Sequence, residues 1–263
     1  MRLTGINYCN YYGLSPYEFA RMIKSCGFDA AFTDSDNDIA PSAFAKAFYE
    51  NGIAWETIHA PFKGINDIWK NGESGDQILA KLKTTVDICA EFSVPTAVIH
   101  LSSGEKAPSI SDIGKTRFSL LVEHAVKKNV SLAFENQRKL ANIAWVFEEF
   151  SSVSNVGFCW DVGHEACFAN GREYMPLFGN KLLCTHIHDN DGRHNHDLHQ
   201  IPFDGNLDFY RIARHIRDYG FAGTLMLEIF PQICGIYGSL KPEEILLRAN
   251  AAATRLRDMV DRK

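Results

Sequence analysis

Apolar runs of strand length return eight times along this chain, and each is separated from the next by a segment with helical signals. The runs are Leu3 to Cys9, Ala30 to Thr33, Ile53 to His59, Thr96 to Leu101, Val130 to Glu135, Val156 to Asp161, Leu182 to His188 and Gly223 to Ile229. Strand and helix in strict alternation give a parallel sheet, because a parallel neighbour is reached only by a crossover long enough to hold a helix. Eight such units close most economically into a ring. The sequence therefore predicts an α/β protein, one (β/α)8 TIM-barrel domain over residues 1–263, in preference to a doubly wound open sheet. No Pro/Gly/Ser tract or charge block interrupts the alternation to suggest a second domain.

The first helix carries its own start signal. In Ser15-Pro16-Tyr17-Glu18, Ser15 suits the cap, Pro16 the first turn and Glu18 the reciprocal position of a capping box, with Gly27 as the stop. Further helices are expected near Pro41 to Asn51, Gly75 to Phe92, Ser111 to Lys128, Leu140 to Phe150, Glu165 to Phe178, Leu207 to Tyr219 and Pro242 to Val260. Several end in Gly or Asn, which tolerate the left-handed stop conformation.

Composition narrows the partners. Lys and Arg total 27 against 32 Asp and Glu, a net charge of −5, so nothing in the balance advertises nucleic acid. The stretch Thr33-Asp34-Ser35-Asp36-Asn37-Asp38 after the second strand would repel a phosphate backbone. No apolar run reaches the roughly 18 residues of a membrane span, and the amino terminus lacks the apolar core of a leader. The seven cysteines form no Cys-x-x-Cys pair and sit in apolar runs, which suggests reduced thiols and a cytoplasmic protein. Whether it forms a homo-oligomer stays open.

In such a barrel the chemistry belongs at the carboxyl ends of the strands. Six consecutive strands there end in metal-like residues: His59, His100, Glu135, Asp161 with His164, His186 with His188, and Glu228. Any one of them reads equally well as a core histidine or an ion-pair partner. As a set they do not, for eight of the ten histidines fall on this rim or its loops, leaving only His124 and His215 in helices. Carboxylates crowded at a partly buried rim repel one another unless a cation neutralises them. Glu135, Asp161, His186 and Glu228 form a mixed oxygen and nitrogen shell suited to a divalent Mn, Zn, Co or Mg ion. The direction of His188 depends on whether the strand stays regular beyond His186.

These motifs, Phe134-Glu135-Asn136, Asp161-x-Gly163-His164, His186-Ile187-His188-Asp189-Asn190 and Leu227-Glu228-Ile229, resemble the xylose-isomerase-like TIM-barrel superfamily of sugar phosphate isomerases and epimerases, which shares its fold with AP endonuclease family 2. The resemblance runs from His59 to Glu228. It implies that Glu135, Asp161, His186 and Glu228 bind a divalent metal, that Glu135 and Glu228 are the catalytic acid/base pair, and that His164 contacts substrate oxygens. Arg193 matches a substrate-binding arginine, with one extra residue in the spacing. His59, His100 and Trp160 are the other expected sugar contacts, with Tyr8, Asn10, Tyr11, Tyr12, Trp55, Phe62 and Trp69 available along the mouth.

The implied activity is a metal-dependent sugar or sugar phosphate isomerase or epimerase, with a small sugar as substrate. The metal would chelate a carbonyl oxygen and an adjacent hydroxyl and hold the enediolate left when a proton departs. No Gly-rich phosphate loop or Arg/Lys cluster follows the last two strands, which fits an unphosphorylated sugar. The rival within the superfamily is a trinuclear-zinc phosphodiesterase like endonuclease IV acting on abasic DNA. For it His59, His100, His164, Asp197 and His199 would be additional metal ligands, and Asp197-Leu198-His199 followed by Phe203-Asp204-Gly205-Asn206-Leu207 resembles its pattern. A catalytically silent sugar-binding barrel is the third reading.

Overall fold

A computed structural model describes residues 2–262. Eight strands, β1 (Thr4–Asn7), β2 (Ala30–Asp34), β3 (Ala54–His59), β4 (Thr96–His100), β5 (Ser131–Glu135), β6 (Val156–Asp161), β7 (Leu182–His186) and β8 (Leu225–Leu227), run parallel in the order β7-β6-β5-β4-β3-β2-β1-β8. The ring closes between β7 and β8 through Ile187, whose N–H donates to Met226 O at 2.9 Å while its carbonyl accepts from Glu228 N at 3.1 Å. Around this barrel lie α1 (Pro16–Ser25), α2 (Pro41–Asn51), α3 (Glu73–Glu91), α4 (Asp112–Lys128), α5 (Leu140–Glu149), α6 (Val162–Phe168), α7 (Met175–Phe178), α8 (Phe209–Asp218), α9 (Pro231–Cys234) and α10 (Pro242–Asp261). The predicted TIM barrel is the observed fold.

The local signals act as expected at α1. Ser15 Oγ accepts from Glu18 N at 3.3 Å and Glu18 Oε2 accepts from Ser15 N at 2.9 Å, so the capping box is complete. The helix expected over Glu165 to Phe178 is instead two short ones. Asn170 and Gly171 both adopt positive φ, at 51° and 78°, which ends α6 after one residue of overrun, and Pro176 restarts the chain in α7.

Strand alternation sets the layers inside the barrel. Val98, Ala133, Cys159 and Cys184 form a small apolar floor, and two residues further along the same strands stand His100, Glu135, Asp161 and His186. Polar side chains at the strand ends thus rest directly on a dry base. The ends are also stitched sideways. Asn136 donates to Asp161 O and accepts from Asp161 N, both at 2.8 Å, and Asn7 donates to Ile229 O at 3.1 Å and accepts from Ile229 N at 2.8 Å. None of the seven cysteines is paired, and among the described residues no helix is long and apolar enough to cross a membrane.

Candidate functional site

The carboxyl ends of the strands surround a cavity of about 630 Å³, within the range of small-ligand sites. At its base the donor atoms of Glu135, Asp161, His186 and Glu228, one residue from each of four successive strand ends, lie within 4.8 Å of one another and are all buried. Among the described residues four further groups meet the same spacing, including His59, His100 and Glu135 on one side and His164, Asp197 and His199 on the other. Glu135 belongs to three of the five. Its Oε2 is 3.1 Å from both His59 Nε2 and His100 Nε2, and its Oε1 is 2.9 Å from His164 Nδ1.

Charge is strongly polarised within this cluster. Burial alone would push Glu135 up, but His100 and His186, together with hydrogen bonds from His100 and His164, outweigh it and hold the carboxyl well below its usual range. Glu228 goes the other way: burial, then repulsion from Glu135 and Asp161, raises it well above the ordinary value. His164 is raised despite its burial because Asp161 and Asp197 face it. Two carboxyls of the same cluster therefore hold their protons over different pH ranges, the arrangement by which acid and base roles are divided.

The donor set fits a cation. His186 has both ring nitrogens buried with no hydrogen-bond partner, although Nδ1 lies 3.4 Å from Glu135 Oε2 and 3.5 Å from Glu228 Oε1. Its face is stacked on Phe32 at 4.7 Å, which holds the ring in that orientation. A buried imidazole with nothing to bond costs on the order of 1–3 kcal/mol, and an ion shared with the neighbouring carboxylates removes that cost.

Elements beyond the strands hold the remaining donors. Asp189, just after β7, accepts four backbone N–H bonds from Asn190, Phe203, Gly205 and Leu207 at 2.8 to 3.0 Å and so shapes the long loop that carries Asp197 and His199. A Cβ on Gly205 would come within 2.5 Å of the Asp189 carboxylate, so this turn admits only glycine. Asp197 Oδ2 then meets His164 Nε2 at 3.1 Å and His199 Nε2 at 3.3 Å. His188 faces inward as well, because Ile187 continues the pairing and residues 186 and 188 keep the same side.

Several expected sugar contacts lie elsewhere. Arg193 is 69% exposed and paired with Asp191 at 2.6 Å, on the outer part of the loop. Trp160 is fully buried and faces outward from β6, its Nε1 donating to Glu165 Oε2 at 2.9 Å. Tyr8, Tyr12 and Trp69 are core residues and Trp55 packs between Phe44 and Phe48, leaving Phe62 as the mouth aromatic that lines the cavity. The lining instead includes Asp34, Asp36, Gln137, Arg138, Phe168 and Phe230. Gln137, two residues past Glu135, is a lining residue that no sequence motif marks; its Nε2 is 3.0 Å from His164 Nδ1 and 3.3 Å from His100 Nε2.

Comparison with known proteins agrees with this architecture. The family model described as Xylose isomerase-like TIM barrel matches residues 20–255. An uncharacterized protein of Sinorhizobium fredii, y4fM, is 31% identical over 245 residues, covering 80% of this chain and 76% of that one. Among solved structures, D-psicose 3-epimerase from Clostridium cellulolyticum H10, with D-tagatose, superposes with a TM-score of 0.79 at 14% identity over 99% of this chain and 100% of that one. The 3-keto-D-glucoside 4-epimerase from E. coli gives 0.75 at 16% identity over 98% and 99%. At these identities the structural likeness speaks to the fold.

Proposed function

The chain belongs to the xylose isomerase-like TIM-barrel family, and from that premise we propose that it is a metal-dependent isomerase or epimerase of a small sugar. The observation that carries this reading is His186, buried with both nitrogens unpartnered amid Glu135, Asp161 and Glu228. That two structural neighbours are named as sugar epimerases supports it further.

Glu135, Asp161, His186 and Glu228 would hold the ion. A divalent cation in that position supplies Lewis acidity that makes the C–H beside a sugar carbonyl easier to ionise. The protein's own groups do the rest. Glu135, kept ionised by the imidazoles around it, takes the proton from carbon. Glu228, facing the substrate from the other side, returns one. The two stand on strands separated by β6 and β7 around the ring, so they address a substrate from different sides, as inversion at one carbon requires. His164 reaches the cavity beside them and donates to the carbonyl oxygen as charge builds there. Gln137 bridges His164 and His100 and restrains both rings. Phe62, stacked on His100 at 4.7 Å, and Phe230, edge-on to His199 at 4.8 Å, wall the site against water.

Incubating metal-loaded protein with D-fructose or D-tagatose in D₂O tests the reading. Deuterium is expected at the carbon next to the carbonyl, with Glu135→Gln and Glu228→Gln slowing its entry by about 10²–10⁴-fold. Label entering both variants at the wild-type rate removes these residues from their roles.

One observation favours a second reading, a trinuclear phosphodiesterase: further donor groups, His59 with His100 and His164 with Asp197 and His199, lie on both sides of the Glu135, Asp161, His186 and Glu228 set, as neighbouring ions would need. Against it, Asp34 and Asp36 line the mouth that a phosphate backbone would have to approach, and the chain is net acidic. Three ions per chain together with cleavage of an abasic-site duplex would establish it over the first.

A further inference from the structure

One permanent cation lines the cavity. Among the described residues around it, the only Lys or Arg is Arg138, three residues beyond Glu135. Its guanidinium lies over the Phe168 ring, Cζ 3.5 Å from the centroid, and its Nε donates to Asn195 Oδ1 at 3.2 Å. Asn195 is itself fixed: its N–H donates to Cys167 O at 3.1 Å, its backbone sits at φ 60°, and its amide is engaged by the carboxylate of Glu105. Glu105 therefore serves Asn195 and leaves Arg138 alone. Among the described residues no carboxylate lies within ion-pair distance of this guanidinium, and neither Nη1 nor Nη2 has a hydrogen-bond partner.

We propose that Arg138 is the anchor for an anionic group of the substrate, a phosphate monoester or a carboxylate, so that the sugar handled here is an acidic one. This rests on the isomerase reading of the site and names its substrate class. A guanidinium held by Nε and by one face presents its two terminal NH₂ groups as a flat fork, which matches paired oxygens of an oxyanion. The fork is already rigid, so little side-chain entropy is lost on binding. Phe168 links it to the chemistry, for the same ring stacks on His164 at 5.0 Å. An anion on Arg138 thus sits one aromatic ring away from the imidazole assigned to the carbonyl oxygen. The missing Gly-rich loop pointed to a neutral sugar; a single planar fork after β5, braced by Asn195 of the loop that follows β7, supplies what that loop would have.

The test is equilibrium binding by calorimetry to metal-loaded protein, with D-fructose, D-fructose 6-phosphate and D-fructuronate as probes. Wild-type protein is expected to bind one of the acidic ketoses about 30-fold more tightly than D-fructose, and which one wins separates phosphate from carboxylate. Arg138→Met should bring that ratio to within about threefold of unity, and Arg138→Lys, which keeps the charge and loses the fork, should leave an intermediate ratio. Arg193→Met, on the exposed loop, should leave the ratio at its wild-type value. The lysine variant decides the matter should the methionine variant fail a melting check. The proposal is overturned by equal or absent binding of both acidic ketoses to wild type, by a preference that survives both Arg138 changes, or by its loss in Arg193→Met. Binding is read without turnover, so absence of deuterium uptake from all three ketoses would defeat the isomerase reading, while the preference among them is decided by binding alone.

Discussion

His188 Nε2 lies 3.1 Å from Asp161 Oδ1, and the two side chains are completely buried. The same oxygen accepts the backbone N–H of His164 at 2.6 Å, and Oδ2 lies 3.3 Å from the same His188 nitrogen, so the Asp161 carboxylate is steadied at both oxygens. His188 is in turn pressed flat against His199 at 4.0 Å. A residue beside the donor set thereby fixes the direction of a carboxylate within it.

Replacing His188 with Ala should weaken binding of Mn²⁺ or Zn²⁺ by about 10–100-fold, the usual cost of losing such a support. Competition against a chelator measures it. An unchanged dissociation constant would show that Asp161 needs no help.

Gly163→Ala should act through the same imidazole. A Cβ there would sit 2.0 Å from His188 Cε1, with the ring's other atoms close behind, so His188 must move. A stability loss of about 1–3 kcal/mol in urea unfolding is expected. Combined with His188→Ala it should cost less than the two changes added, since the clash disappears with the ring. Full additivity would place the strain elsewhere.

Glu228 makes stability depend on whether the ion is bound. In metal-free protein its carboxyl is raised by burial and by Glu135 and Asp161, so its contribution is favourable below the ordinary carboxyl range and is lost as pH rises through the raised value. Glu228→Gln should therefore raise Tm of metal-free protein at pH 7.5, by about 2–4 °C per kcal/mol of relief, yet lower Tm of metal-loaded protein. Metal uptake should also release protons, detected as a buffer-dependent enthalpy. A variant that lowers both melting temperatures would refute the assignment.

At the opposite end of the barrel Glu56 is also raised, by burial first, while Thr224 Oγ1 donates to its Oε1 at 2.6 Å. Its contribution likewise holds below the ordinary range and fades as pH climbs. Glu56→Gln keeps an acceptor for Thr224, so the variant should melt slightly above wild type at pH 7.5, with the gap closing towards pH 4.5. A gap independent of pH would assign the effect to packing.

The strand-end donors were legible because each closes a short apolar run, so the period of two that makes a strand also aims the last residue inward. Glu135, Asp161, His186 and Glu228 needed nothing more. His188 was not legible, because its direction depends on Ile187 pairing with Leu227 across the closing seam, a contact between distant parts of the chain. Trp160 and Arg193 stand away from the cavity for related reasons. Trp160 lies one residue before Asp161 and so must face the opposite way, and Arg193 sits in a loop whose path is drawn by Asp189 rather than by local propensity. The fork of Arg138 emerges only when Phe168, after a separate strand, comes beneath it.

The closure through Ile187 gives the cluster a mechanical meaning. β7 and β8 share two backbone hydrogen bonds there, reinforced by the Thr185 hydroxyl accepting from Met226 N at 3.2 Å. His186 and Glu228 flank that thin join on either side. An ion gripped by both would rivet the ring where its weave is sparsest, so loading the centre would harden the molecule against unravelling from its last strand as well as arm it for chemistry.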